Sequence, residues 1–236
     1  MLLAGAGLFL RSLAGLAKVD PGFAKDHVIT FGLDLPDRYG QKERVQFYRE
    51  LLPQIRRLPG VASASAAFPL PLSADDVKTS FDVEGRPQKE SERAVTTLHL
   101  VDADYFRTLG IPLLRGREFD AHDDAANAAN AIPVVIISQV FAEQAFPGID
   151  PVGRRIRPNI SSGPQDAPIR IVVGVVGDVK AEGLAAPAIP ECYVPYAQLP
   201  FAPMSVVVRT VITPQSMVPT LAKKFRRWIR IYLFCT

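Results

Sequence analysis

VVIISQVFAEQAFPGIDPVGRRI, residues 134–156, is the stretch from which the rest of the chain is best read. Residues 134–137 form a short continuous run of β-branched side chains, the pattern of a strand buried on both faces. Ser138 follows in the position of a helix N-cap, where its hydroxyl can accept from an unpaired backbone N–H. Val140, Phe141, Ala145 and Phe146 then fall near one helical stripe, and Pro147-Gly148 ends it. Asp150-Pro151 turns the chain, Gly153 permits a tight bend, and Arg154-Arg155-Ile156 begins a further extended segment. The stretch reads strand, helix, turn, strand. It carries no catalytic or phosphate-binding motif and is scaffold.

At 236 residues the chain can bury a sizeable core, in one large domain or two small ones. A net charge of +3 does not suggest a nucleic-acid partner without a clustered patch. Mean hydropathy of +0.12 is apolar for a freely soluble domain, and the excess at the two ends suggests contact with membrane. Cys192 and Cys235 form neither a disulfide framework nor a metal-type spacing. The 21 prolines and 16 glycines punctuate short strands rather than a helical bundle.

In chain order, residues 1–10 are apolar and precede Arg11. A signal peptide would carry its charge before the apolar run, and an N-terminal core helix is the plain alternative. Asp20-Pro21-Gly22 stops any helix there. Residues 28–35 alternate as a strand with Ile29, Phe31, Leu33 and Leu35 on one face. Residues 44–58 form an amphipathic helix with Val45, Tyr48, Leu51, Leu52 and Ile55 inward and Arg44, Arg49, Arg56 and Arg57 outward. Pro53 interrupts that helix and should kink it. Residues 61–68 are the next strand, and residues 73–79 a polar, mobile stretch.

Phe81 and Val83, then 95–101, supply two further strands. Asp102 is placed to cap a short helix over 103–109 that closes at Gly110. Residues 111–119 resume an extended path, and 121–131 form an exposed loop. Residues 158–168 are a further loop, and 169–176 are the strongest strand, expected to be central. Residues 187–195 are irregular, with Tyr193 and Val194 adding at most a short edge strand. Residues 204–209 are the last clear strand, and Ser216 or Pro219 opens a final helix. Irregularly spaced strands and helices indicate an α+β fold rather than a repeating β-α wind.

Chemistry is sparse. GVVGDVK, residues 174–180, lacks the glycine spacing and the following helix of a phosphate loop. His27, His99 and His122 share no helix face, and His99 in an apolar strand reads as a satisfied or outward-facing residue. Asp75-Asp76 and Asp123-Asp124 are adjacent acids in polar loops, where solvation is their usual state. Ser138 lacks a nucleophile elbow. The reading assigns no catalytic, cofactor-binding or metal-ligating residue. The one concentrated charge, Lys223, Lys224, Arg226, Arg227 and Arg230, could meet nucleic-acid phosphates, or anionic lipid with Trp228 and Tyr232 as interfacial anchors, but no aromatic-basic platform elsewhere supports it, and a tail of incidental residues is the plainer reading.

FAEQAFPGIDPVGRRI, residues 141–156, resembles the F-A-x-x-x-F-P-G-x-D-P-x-G-R-x-I segment of the MacB-like periplasmic core domain in FtsX-like ABC transporter permeases, the duplicated orphan permeases in particular. Four further stretches are similar to the same family in the same order: LFLRSLAGLAKVDPGF (8–23), FYRELLPQIRRLPGVASASAA (47–67), DYFRTLGIPLLRGREF (104–119) and IVVGVVGDVKAEGL (171–184). The resemblance implies a two-lobed periplasmic domain. Residues 1–20 would be the outer end of a transmembrane helix and its stalk. Residues 26–72 with 203–228 would form a discontinuous β-α-β plus β-α lobe, porter-like, into which a mixed α/β lobe of residues 73–202 is inserted. Residues 223–236 depart from the family pattern as an atypical tail, which suggests a truncated or frame-shifted fragment.

The implied role is mechanical and not enzymatic. A separate ABC ATPase subunit would act through the transmembrane part at the cell inner membrane, and the lobes would act on a periplasmic partner protein or substrate, with a homodimer as one assembly and no nucleic acid or cofactor. Two other readings compete with it: a membrane-attached periplasmic hydrolase using His99 or the acidic loops, and a module that binds membrane through its basic tail.

Overall fold

The computed structural model describes residues 19–33, 35, 38–73, 75–86, 93–125, 133–159, 167–200, 204–226 and 229–230. Eleven strands run in the order β1 (Val28–Leu33), β2 (Val61–Phe68), β3 (Lys78–Val83), β4 (Val95–Val101), β5 (Leu113–Gly116), β6 (Val134–Ser138), β7 (Arg155–Pro158), β8 (Arg170–Val176), β9 (Glu191–Pro195), β10 (Ser205–Thr210) and β11 (Ile229–Arg230). Among the described residues four α-helices accompany them: α1 (Gln41–Arg56), α2 (Tyr105–Leu109), α3 (Gln139–Ala145) and α4 (Pro214–Phe225). The fold is α+β. The apolar run 1–10 lies outside the described residues, and none of the described helices is long and apolar enough to cross a membrane.

Six strands close on themselves in the order β4, β3, β7, β8, β6, β9 and back to β4. Two of the six pairings are parallel, β6 with β8 and β4 with β9. A flanking arm extends from this mixed barrel where β2 pairs β4; β10, β1 and β11 follow outward in that order. The short strand β5 lies off this path and pairs β8. Every residue of β6 is buried, as its β-branched composition requires. Val135 and Ile137 join the core that fills the barrel and continues under α1 and α4. Val134 and Ile136 face a second core, with Tyr105 and Phe106 of α2, Phe119 and Tyr193.

α1 lays Tyr48, Leu51, Leu52 and Ile55 onto the arm, and α4 adds Met217, Leu221 and Phe225 to the same face. β1 buries Ile29, Phe31 and Leu33 there, the alternation its sequence shows. α1 runs through Pro53 without breaking. Ser138 caps α3 by accepting from the Phe141 N–H at 3.3 Å.

The structure corrects several expectations. Residues 187–195, whose sequence predicts an irregular stretch with at most a short edge strand, instead contain β9, which is wholly buried and paired on both sides. Its prolines sit where no ladder donor is required: Pro190 supplies its carbonyl to the Thr97 N–H at 3.0 Å, and Pro195 ends the strand. Lys78 and Thr79 belong to β3 rather than to a polar mobile stretch, because they pair Thr97 and Thr96. The last helix opens at Thr213-Pro214, ahead of Ser216 and Pro219, because a proline fits the first helical position. It continues through Lys223 and Lys224 to a buried Phe225, so the expected tail begins on a packed helix.

A strap over residues 20–24 leads into β1. Its Ala24 N–H donates to the Leu109 carbonyl at 2.7 Å, and its Pro21 carbonyl accepts from the Lys180 N–H at 2.9 Å. Gly22 has φ of +81°, and a Cβ there would lie 1.9 Å from the Asp178 carbonyl oxygen. Only glycine lets the strap pass.

Inside the barrel the rings of Phe141 and Phe81 stack at 4.2 Å, with exposures of 0% and 3%. Phe141→Ala should therefore cost about 3–5 kcal/mol in urea unfolding. Val211→Ala, at a residue 70% exposed, should stay within about 0.5 kcal/mol.

Candidate functional site

Polar side chains gather in two places, one inside the second core and one at the seam between arm and barrel. Inside, β4 and β9 run parallel with His99 opposite Tyr193, and their rings stack at 4.9 Å. The Pro69 carbonyl, 3.1 Å from Nδ1 of His99, can only accept, so Nδ1 carries a proton. Nε2 lies 3.1 Å from Oε1 of Glu191, and the Tyr193 hydroxyl donates to Oε2 at 2.8 Å. The Glu191 N–H donates to the Ser138 hydroxyl at 3.1 Å, so Ser138 ties α3 to β9 as well as capping α3. Burial, with Glu191 alongside, holds the Tyr193 phenol far above its ordinary range and therefore neutral.

A histidine and a carboxylate thus meet within hydrogen-bond distance, which the hydrolase reading asked of a cleft. They meet where no substrate reaches: their side chains are 2% and 0% exposed. Tyr193, Ser138 and Pro69 take the contacts that a substrate would need. His27 sits apart with Nδ1 at 3.0 Å from the Ile212 carbonyl, and His122 is exposed beside Asp120. Burial pushes the Cys192 thiol up to about 12, which leaves it inert. Among the described residues, no group of three or more His, Cys, Asp or Glu side chains could hold a metal ion.

At the seam, Arg56 departs from the expectation of an outward residue. Its guanidinium reaches from α1 to Asp102 at 2.7 Å and Asp104 at 2.9 Å, while Nε donates to the Ala64 carbonyl at 2.9 Å. It joins the arm to the β4–α2 turn because that turn offers two carboxylates beside the helix. Asp102 accepts from the Asp104 N–H at 3.4 Å, but α2 itself begins at Tyr105. Beside the seam lies a cleft of ≈ 210 Å³ lined by Arg49, Arg56, Asp102, Asp124, Tyr48 and Tyr196, among others. Asp123 was expected to be solvated in a loop; it is 8% exposed and holds Arg117 at 2.6 and 2.9 Å. No periodicity in the sequence marks Asp123 for burial.

A family model described as MacB-like periplasmic core domain matches residues 12–227. The chain belongs to that family. Three solved structures share its fold. The periplasmic region of MacB from Actinobacillus actinomycetemcomitans matches with a TM-score of 0.57 and 15% identity, over 90% of this chain and 88% of that one. A domain of a putative permease protein from Porphyromonas gingivalis gives 0.55 and 16%, over 93% of each chain. The extracellular domain of the noncanonic ABC-type transporter YknZ from Gram-positive bacteria gives 0.50 and 17%, over 84% and 95%. No curated protein matches the chain. The chain is thus a MacB-like periplasmic core domain, and the three structures share its fold.

Glu191→Ala should destabilise the fold by roughly 3–5 kcal/mol in denaturant melts, because it strands His99 and the Tyr193 hydroxyl in the core. At the seam, burial raises the Asp102 carboxyl from an ordinary 3.8 to about 6, against the pull of Arg56. A raised acid favours the folded state while protonated, so its contribution is full below about 3.8 and is lost as pH rises through about 6. Asp102→Asn should flatten the dependence of unfolding free energy on pH across that window, read by urea titrations at several pH values.

Proposed function

We propose that the domain transmits motion driven by a separate ABC ATPase to a periplasmic partner or substrate. The transmembrane part of the permease, in the cell inner membrane, would carry that motion. The supporting observation is the way the arm meets the barrel. β2 pairs β4 through only two residues, Ala67 with Val101 and Phe68 with Leu100, while the Arg56 ion pairs bridge the same boundary. A ladder this short, latched by ion pairs, is a boundary across which two lobes can shift against each other, as hinge or shear coupling needs.

On this reading residues 26–72 and 203–228 form one lobe and residues 73–202 the other, and each moves as a body. Transmission in this form needs no cofactor and no catalytic residue of the domain's own. A second copy of the chain in the assembled transporter is compatible with it.

The test is a distance measurement in the complete permease reconstituted with its ATPase. Spin labels at Gln54→Cys on α1 and Gln144→Cys on α3, both at exposed positions, would be placed in a Cys235→Ser background. The label separation should change between ATP-bound and ADP-bound states, and Arg56→Ala should broaden it in both. An identical, narrow separation in every nucleotide state would count against transmission through this domain.

A further inference from the structure

A second cleft, of ≈ 310 Å³, opens between the turn after β3 and strand β7. Three arginines line it, Arg86, Arg93 and Arg157, with Asp82 and Glu84 as the acids and Val83 and Ile169 on the apolar wall. The acids are already engaged. Asp82 holds Arg93 at 2.8 Å and also accepts weakly from the Asn159 amide at 3.5 Å. Glu84 is taken by Arg155 at 3.2 Å.

Arg157 stands opposite Asp82 in the β3–β7 register, yet among the described residues it forms no ion pair, and its Nε is buried without a hydrogen-bond partner. Arg86 gives one N–H to the Ala145 carbonyl at 2.9 Å and, among the described residues, meets no carboxylate. A guanidinium without a carboxylate of its own is costly to keep half-buried, and an incoming carboxylate meets it with charge-assisted bonds.

We propose that this cleft binds an acidic peptide segment of a partner protein. One carboxylate of the segment would lie between Arg157 and Arg86, with a neighbouring apolar side chain against Val83 and Ile169. The charge of the lining selects an anion, because two of its three cations have no carboxylate of their own among the described residues. The apolar wall selects a peptide over a free ion, since a bare anion gains nothing from Val83 and Ile169. The inference rests on the partner reading above and names the chemistry by which a partner would be held.

The test titrates the whole chain, with arginine side chains labelled with nitrogen-15, against three probes. These are acetyl-Leu-Glu-Leu-Glu-amide, its glutamine counterpart acetyl-Leu-Gln-Leu-Gln-amide, and inorganic phosphate. The glutamate peptide should shift the Nε–Hε signals of Arg157 and Arg86, and the glutamine peptide should leave them in place. Arg157→Gln should weaken binding roughly tenfold, the loss of one charge-assisted contact. Arg115→Gln, in a different cleft, should change nothing. If Arg157→Gln fails to fold, Arg86→Gln at an exposed position carries the same comparison. Silent arginine signals, an equal response to the glutamine peptide, or phosphate binding as tightly as the glutamate peptide would each overturn the proposal. Peptide binding with no nucleotide-dependent change in label separation would count against coupling alone, and the reverse result against this cleft alone.

Discussion

Closure of the barrel by β9 is the constraint on which the other features depend. Five residues, Glu191 to Pro195, pair β4 in parallel over their whole length and meet β6 antiparallel at Tyr193 and Cys192. Without that double pairing the barrel would be an open sheet, with β4 and β6 exposing edges that carry apolar side chains on both faces. β9 also gathers the buried polar groups: Glu191 at its first position holds His99, Tyr193 and Ser138 together. Polar contacts in so dry a place are strong when complete and costly when broken, so they fix which strand lies beside β4.

A second buried charge works differently. Arg170 at the start of β8 is 1% exposed and has no carboxylate partner among the described residues. Burial lowers its pKa to about 10, still high enough to keep the charge. Its guanidinium donates to the Val134 carbonyl and to the Gln198 side chain, and Gln198 in turn donates to the Asp123 carbonyl at 2.7 Å. Neutral oxygens therefore carry a full charge, and they fasten β8 to β6 and to the turn after β9. The barrel is held at one end by the His99–Glu191 pair and across its β8 seam by this chain of carbonyl and amide acceptors.

Local patterns were legible in the sequence wherever one residue type sets one geometry. The β-branched run of β6, the Ser138 cap, the glycine after α2 and the alternation of β1 all stand where the chain order placed them. The family likeness was legible from five ordered stretches, and a match over residues 12–227 bears it out. Features made by non-local pairing were not legible. β9 has too few residues, between two prolines, to show its double pairing. Arg56 sits on the polar side of a helical wheel and is drawn inward only because Asp102 and Asp104, far along the chain, arrive beside it. Glu191 has no signature of burial, since its partners are fixed by the closed sheet. Sequence reading found no binding residue, and Arg86 and Arg157 came together only through the β3–β7 register and the turn that follows β3.

The strap before β1 determines where a pull on the chain would be felt. Pro21 and Ala24 are bonded to Lys180 and Leu109, and Gly22 leaves no slack against the backbone of Asp178. Tension arriving along the polypeptide from residue 19 would be taken up by the segment after β8 and by the end of α2 before β1 is stretched. The barrel, though its strands come later in the sequence than β1, is then the first body to feel the tug.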